Sequence, residues 1–259
     1  MKKLTGLIVT VSLFAVACGP TASVESAPAM STAEIEALQR TDAAIWYANS
    51  AERYFTYKKL FNESKRKLDE NAGKSSGKPV VLISVENVLT DESRAYMEAL
   101  SKGRVPTAED LSNWYNSGRI YLNPGAADFI LYCRSMNADM FFITERSSGQ
   151  VRRLAEFLQL QGLGYFEPES FIIASGTKSA QNQRVQELLA TGFVALTLVD
   201  DLASIYPDFV EGNASRARVD LLFDEMLQQV VLFPNPMEGS YLRANAPGEQ
   251  KINTAQQPD

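Results

Sequence analysis

An α/β fold is what this sequence predicts: a parallel sheet with helices on both faces, preceded by a small helical region. Three observations carry that reading. Short apolar runs recur at Val80 to Ile83, Met140 to Ile143, Phe171 to Ala174, Val194 to Val199 and Val230 to Phe233. Helical patterns separate most of them, at Asp128 to Met136, Gln150 to Gln161, Ser179 to Ala190 and Ser215 to Gln228. The runs are apolar throughout, as strands covered on both faces must be. At 259 residues the chain suits one such domain with an elaboration.

Before the first strand, Ser31 to Ala72 reads as helix, with Thr32 as a cap and Ile35, Leu38, Ile45, Phe55 and Leu68 at mostly helical spacing. One helix of that length is uncommon, so a break is expected near Thr41-Asp42. Gly73 to Gly77 is a polar linker. The expected organisation is a helical region at 33–77, an α/β core at 78–240 with a cap inserted at about 87–122, and a disordered tail at 241–259.

Residues 1–17 have the form of a signal peptide. Lys2 and Lys3 precede an apolar run from Leu4 to Ala17 that is too short to span a bilayer. The run ends in Ala15-Val16-Ala17-Cys18, which fits a signal-peptidase site and also resembles a bacterial lipobox, although Ala15 stands where Leu is usual. Both readings make Cys18 the first residue of the mature chain, and the second makes it the lipid attachment point. Residues 18–32 are rich in Ala, Ser, Pro and Thr and read as a disordered tether. Gly19, with no Asp after the cysteine, resembles a sorting signal for the outer membrane. The expected location is therefore the outer membrane, with the membrane contacted through the anchor.

Composition removes several functions. The net charge of −6 opposes nucleic acid as a partner, because phosphate backbones need a basic surface. The chain contains no histidine, which excludes Ser-His-Asp and Cys-His hydrolases and His-ligated metals. Acid–base chemistry must come from carboxylates, Lys, Tyr or water. Cys133 lies in the apolar helical stretch Asp128 to Cys133 and is expected to be a buried small hydrophobe.

In parallel sheets, chemistry sits at the carboxyl ends of the strands. Read in order, those ends carry Ser84-Val85-Glu86-Asn87, then Thr144-Glu145-Arg146, then Thr177-Lys178-Ser179 opening a helix, then Asp200-Asp201. A hydroxyl, a lysine and an acidic pair at successive tips resemble the haloacid dehalogenase (HAD) superfamily. Ala44-Ile45-Trp46-Tyr47, Ser50-Ala51-Glu52, Lys67-Leu68-Asp69-Glu70, Asn123-Pro124-Gly125-Ala126 and Phe233-Pro234-Asn235-Pro236 resemble segments of its class C acid phosphatases, the lipoprotein 5′-nucleotidase type.

The resemblance implies a HAD-like Rossmannoid sheet, Mg²⁺ as cofactor, and named roles. Ser84 falls where the family has its nucleophilic, metal-binding Asp, and Glu86 where it has its general-acid Asp. Thr144 matches the phosphate-binding Ser/Thr, Lys178 the lysine that neutralises the phosphoryl group, and Asp200 a metal aspartate. Further acidic metal positions fall on Ala203 and Ser204, so Asp200, with Asp201 beside it, and Glu86 are the remaining candidate metal residues. A serine nucleophile needs a base and gives a stable phosphoester, whereas an aspartate needs none and gives a labile acyl-phosphate. Mg²⁺ is usually held by carboxylates. Lengthening Asp to Glu displaces a catalytic group, which can cost on the order of 100-fold.

Plainer roles are open for the same residues: Thr144 as the cap of the following helix, Lys178 as a solvated charge, and Asp200-Asp201 as a cap for Leu202 to Ile205. Trp46 and Tyr47 read as packing, and Trp114-Tyr115 as the lining of the cap. Glu145-Arg146 departs from the family's Asn-Arg. Two functions follow. One is a catalytically impaired pseudophosphatase that binds a phosphate-containing small molecule or a protein, or serves assembly, at the outer membrane. The other is an active acid phosphatase or 5′-nucleotidase in which Glu86 or Asp200 activates water.

Overall fold

The computed structural model describes residues 32–74, 77–173, 178–191, 193–206, 209 and 212–237, all within the unit Thr32–Asp259. Two helices come first, α1 (Thr32–Asn49) and α2 (Ala51–Ala72). The break between them falls at Ser50 and not at Thr41-Asp42. Ser50 leaves helical geometry (ψ 138°), and its hydroxyl accepts the Arg53 N–H at 2.9 Å, a side-chain cap that Thr41 and Asp42 do not supply. The Thr41 hydroxyl instead donates to the Ala37 carbonyl one turn back, which a continuing helix accommodates. Thr32 is already the first helical residue. Along α2, Arg53, Tyr57, Phe61, Ser64 and Leu68 recur at three- and four-residue spacing and form its buried face.

The five expected strands are present as β1 (Val80–Ser84), β2 (Asp139–Thr144), β3 (Phe171–Ile173), β4 (Val194–Val199) and β5 (Val230–Leu232). They pair in parallel in the order β3-β2-β1-β4-β5. The direction in which successive strands are added therefore reverses beside β1, and the carboxyl ends of β1, β2 and β4 lie together at the switch point. Between β1 and β2 run α3 (Ser93–Leu100), α4 (Ala108–Asn116) and α5 (Ala126–Ser135). Then come α6 (Ser148–Leu160) after β2, α7 (Lys178–Ala190) after β3 and α8 (Gly212–Gln229) after β4.

Two cores confirm that the sheet is covered on both faces. Val81, Ile83, Phe142, Phe171 and Leu198 join Tyr57, Phe61, Phe129 and Leu154 on one side, while Leu82, Ile143 and Ile172 join Val185 and Leu188 of α7 on the other. Alternate strand residues thus feed opposite cores. The Phe61 ring lies tilted against those of Phe233 and Phe129, with centres 4.7 and 5.6 Å away, which ties α2 to the sheet. Gly125, at φ +93°, opens α5 where a Cβ would press to 3.2 Å against Phe61. Cys133 is fully buried, and burial pushes its thiol up to about 12, so it packs as a hydrophobe. Among the described residues no helix is long and apolar enough to cross a membrane.

Candidate active site

The site is built where β1 ends and a tight loop begins. Ser84 closes β1, is 6% exposed, and gives its carbonyl to the Leu89 N–H at 3.1 Å. The chain then turns through Asn87, which adopts φ +60°, a geometry Asn tolerates better than most residues. Three donors surround the Asn87 carbonyl oxygen: the Tyr47 hydroxyl at 2.6 Å, the Tyr57 hydroxyl at 2.9 Å and the Asn123 amide at 2.9 Å. The Asn123 amide also reaches the carbonyls of Val88 and Thr90. Arg53 lies 4.0 and 4.5 Å from the centres of the two tyrosine rings, pairs with Asp91 at 3.1 Å and bonds Asn123. Tyr47 packs as its helical spacing predicts and adds a polar task that the spacing did not show, and burial raises its hydroxyl pKa.

Glu86 projects from this loop to the tip of β2. Its Oε1 accepts from Thr144 Oγ1 at 2.7 Å and from Arg146 Nε at 3.2 Å, and its Oε2 from the Glu145 N–H at 3.3 Å. Arg146 reaches on to Glu92 at 2.7 Å and to the Thr90 hydroxyl at 2.9 Å. The guanidinium lies 4.2 Å from the centre of the Tyr115 ring, so the inserted segment does reach the site. One cation therefore serves two carboxylates in a cluster where the Arg146 and Glu92 side chains are each 3% exposed. Burial pushes the Glu86 carboxyl up to about 7; Arg146 pulls it down and Glu92 pushes it further up.

Asp200 follows β4. Its Oδ2 accepts from the Asn235 amide at 2.8 Å, and Asn87 bonds the same carboxylate. Burial raises Asp200 to about 6. The neighbouring Asp201 caps the turn Leu202–Ser204 by accepting the Ala203 N–H at 3.0 Å. Ala203 and Ser204 lie within that turn, and the Ser204 hydroxyl donates to the Asp201 carbonyl at 2.6 Å.

The structure thus brings Glu86 and Thr144 into contact and places Ser84 and Asp200 on the adjacent tips of β1 and β4. Thr144 does not cap α6: Ser147 takes that position with Gln150 in a capping box, while the Thr144 hydroxyl accepts the Arg146 N–H and donates to Glu86. Lys178 opens α7, and its side chain, like Cys18, lies outside the described residues. Sequence reasoning missed Arg146 as the hub, Glu92 as its second partner and Asn235 as the support of Asp200. The available signals were positional: Arg146 in the tripeptide at the tip of β2, and Asn235 in the segment that follows the last strand.

A parallel sheet with its switch point beside β1 and polar side chains gathered at the carboxyl ends of β1, β2 and β4 define a doubly wound α/β protein whose candidate site lies at that edge. A family model described as HAD superfamily, subfamily IIIB (Acid phosphatase) matches residues 11–241, and the chain belongs to that family. The fold is similar to the class C acid phosphatase from Bacillus anthracis, with a TM-score of 0.72 and 20% identity over 82% of this chain and 89% of that one. The tungstate-bound form of that protein matches at 0.71 and 19%, over the same shares of the two chains.

Members of this superfamily generally use Mg²⁺. The donors here do not fit a tightly held Mg²⁺. Ser84 offers a hydroxyl in place of a carboxylate, Glu86 is committed to Thr144 and Arg146, and Asp200 is committed to Asn235 and Asn87. Among the described residues no three Asp, Glu, Cys or His side chains gather as a metal site.

Proposed function

We propose that this chain is an exported, lipid-anchored member of the acid-phosphatase family that does not turn over phosphomonoesters and acts in binding or assembly at the outer membrane. One observation carries the reading: the residue at the general-acid position, Glu86, is folded back onto Thr144, Glu145 and Arg146. A carboxyl held there serves its own neighbours and not a leaving group. The residue at the nucleophile position is Ser84, in a chain with no histidine to deprotonate it. The leader and the cysteine at residue 18 support export and anchoring.

Assay of the purified protein with p-nitrophenyl phosphate and nucleoside monophosphates, with Mg²⁺ between pH 4.5 and 8, is expected to give no turnover above buffer. Turnover that disappears in Lys178→Ala overturns the proposal. A second reading, an active phosphatase using Asp200 to activate water, is favoured by the rise of that buried carboxyl to about 6, within the range of a working acid–base group. It requires an activity that Asp200→Asn abolishes. For the anchor, Cys18→Ser is expected to move the protein from the detergent to the aqueous phase in a Triton X-114 partition; unchanged partition removes that part of the reading.

A further inference from the structure

The outer face of α2 opens with two aromatic–lysine pairs side by side. Tyr54 and Lys58 are one helical turn apart, and so are Phe55 and Lys59. All four side chains are exposed, Phe55 at 68%, because the buried face of α2 runs through Arg53, Tyr57 and Phe61. Lys58 Nζ lies 5.4 Å from the centre of the Tyr54 ring. Among the described residues neither lysine forms an ion pair, whereas Arg66 further along pairs with Glu70. The chain as a whole is acidic, at −6, so this basic patch is local. Aromatic rings left in water beside unpaired cations match a surface that is anionic outside and apolar beneath.

The same stretch of chain is apolar on its outside. Five of the fourteen large apolar side chains exposed among the described residues, Ile35, Leu38, Ile45, Tyr54 and Phe55, fall within α1 and the start of α2, so the excess is local. Ile35, Leu38 and Ile45 recur at spacings of three and seven and share one stripe of α1, while Ala37, Ala44 and Tyr47 pack inward. Chain length points to what covers them. Thr32 lies fourteen residues after Cys18, a span of at most about 50 Å. The 18 residues of α1 add about 27 Å. A bilayer that holds Cys18 is therefore within reach of the first turns of α2, at a high effective concentration.

We propose that the Tyr54–Lys58 and Phe55–Lys59 pairs are a docking point for an anionic phospholipid surface, the rings entering the headgroup layer and the ammonium groups meeting lipid charge. The inference rests on the anchored reading above and deepens it: the anchor keeps the protein at the bilayer, and this face sets how the domain lies on it. Phe61, on the inner face of α2, packs against Phe129 and Phe233, so docking the outer face fixes the sheet relative to the membrane.

The test is flotation of the processed chain, residues 18–259 with Cys18→Ser so that no acyl chain contributes, with vesicles of phosphatidylethanolamine and phosphatidylglycerol at about 7:3. This chain is expected to float with them, and at least about tenfold less with vesicles of phosphatidylcholine alone. Adding Lys58→Gln and Lys59→Gln together is expected to cost at least about tenfold, one lysine near an anionic surface being worth about fivefold. Phe55→Ser is expected to cost about tenfold through lost apolar burial. All three residues are exposed, so the substitutions leave the fold intact. No flotation with the anionic vesicles overturns the proposal, as does flotation that survives both sets of substitutions undiminished. Sedimentation velocity of the same chain is expected to give a monomer; a dimer that Phe55→Ser dissociates would assign this face to a second copy and also overturn the proposal. Because the flotation is done without the lipid, unchanged Triton X-114 partition of Cys18→Ser would defeat the anchor alone, and absent flotation would defeat this inference alone.

Discussion

The loop after β1 is gripped by two buried arginines, and they do different work. Arg53 on α2 holds Asp91, and Arg146 after β2 holds Glu92 one residue further on. Each lies over aromatic rings, Arg53 over Tyr47 and Tyr57 and Arg146 over Tyr115. The difference is in charge count. Arg53 has one carboxylate partner, and the Asp91 side chain, 19% exposed, keeps some access to water. Arg146 has two carboxylates in a drier setting, where burial above all, with the Glu92 charge adding to it against the pull of Arg146, pushes Glu86 up to about 7. A matched pair makes a clamp, whereas a cation shared by two acids leaves one of them near its titration point at neutral pH.

The sharpest way to break this comparison is Arg146→Met. It leaves Glu86 and Glu92 buried without a counter-charge and is expected to lower stability by about 3–5 kcal/mol at pH 8, read from urea unfolding. Arg53→Met removes one salt bridge and two ring contacts but leaves Asp91 partly hydrated, so the expected loss is smaller, about 2 kcal/mol. If the two losses are equal, the distinction between clamp and shared cation fails.

The third effect is a pH dependence. The Glu86 pKa is raised on folding, so its contribution to stability is full below about 4.5 and is lost as pH rises through about 7. Relative to Glu86→Gln, wild type should therefore lose about 3 kcal/mol between pH 4.5 and 7.5, with Asp200 titrating in both proteins and cancelling. A constant difference across that range would mean that Glu86 is ionised throughout.

The sheet was legible in the sequence because five apolar runs need cover on both faces, and the structure places strands at all of them. The tips were legible because parallel strands leave their chemistry at one end. What escaped was the meeting of polar residues across long separations. Arg146 joins Thr90 and Glu92 from more than fifty residues away, and Arg53 joins Asn123 from seventy. Such contacts depend on loop paths that have no period, so a pattern of apolar spacings does not reveal them. The break between α1 and α2 was misplaced for a related reason: Thr41-Asp42 looks like a cap, but Ser50 is the residue whose hydroxyl reaches an orphan amide.

The turn at Asn87 separates form from chemistry. Its carbonyl is fixed by Tyr47, Tyr57 and Asn123, none of which belongs to the set that would meet a phosphoryl group. Exchanging the reactive side chains at residues 84 and 86 therefore leaves the bracket that shapes the loop intact. A molecule constructed in this way can fall silent as a catalyst and still present the same contour to whatever docks against it.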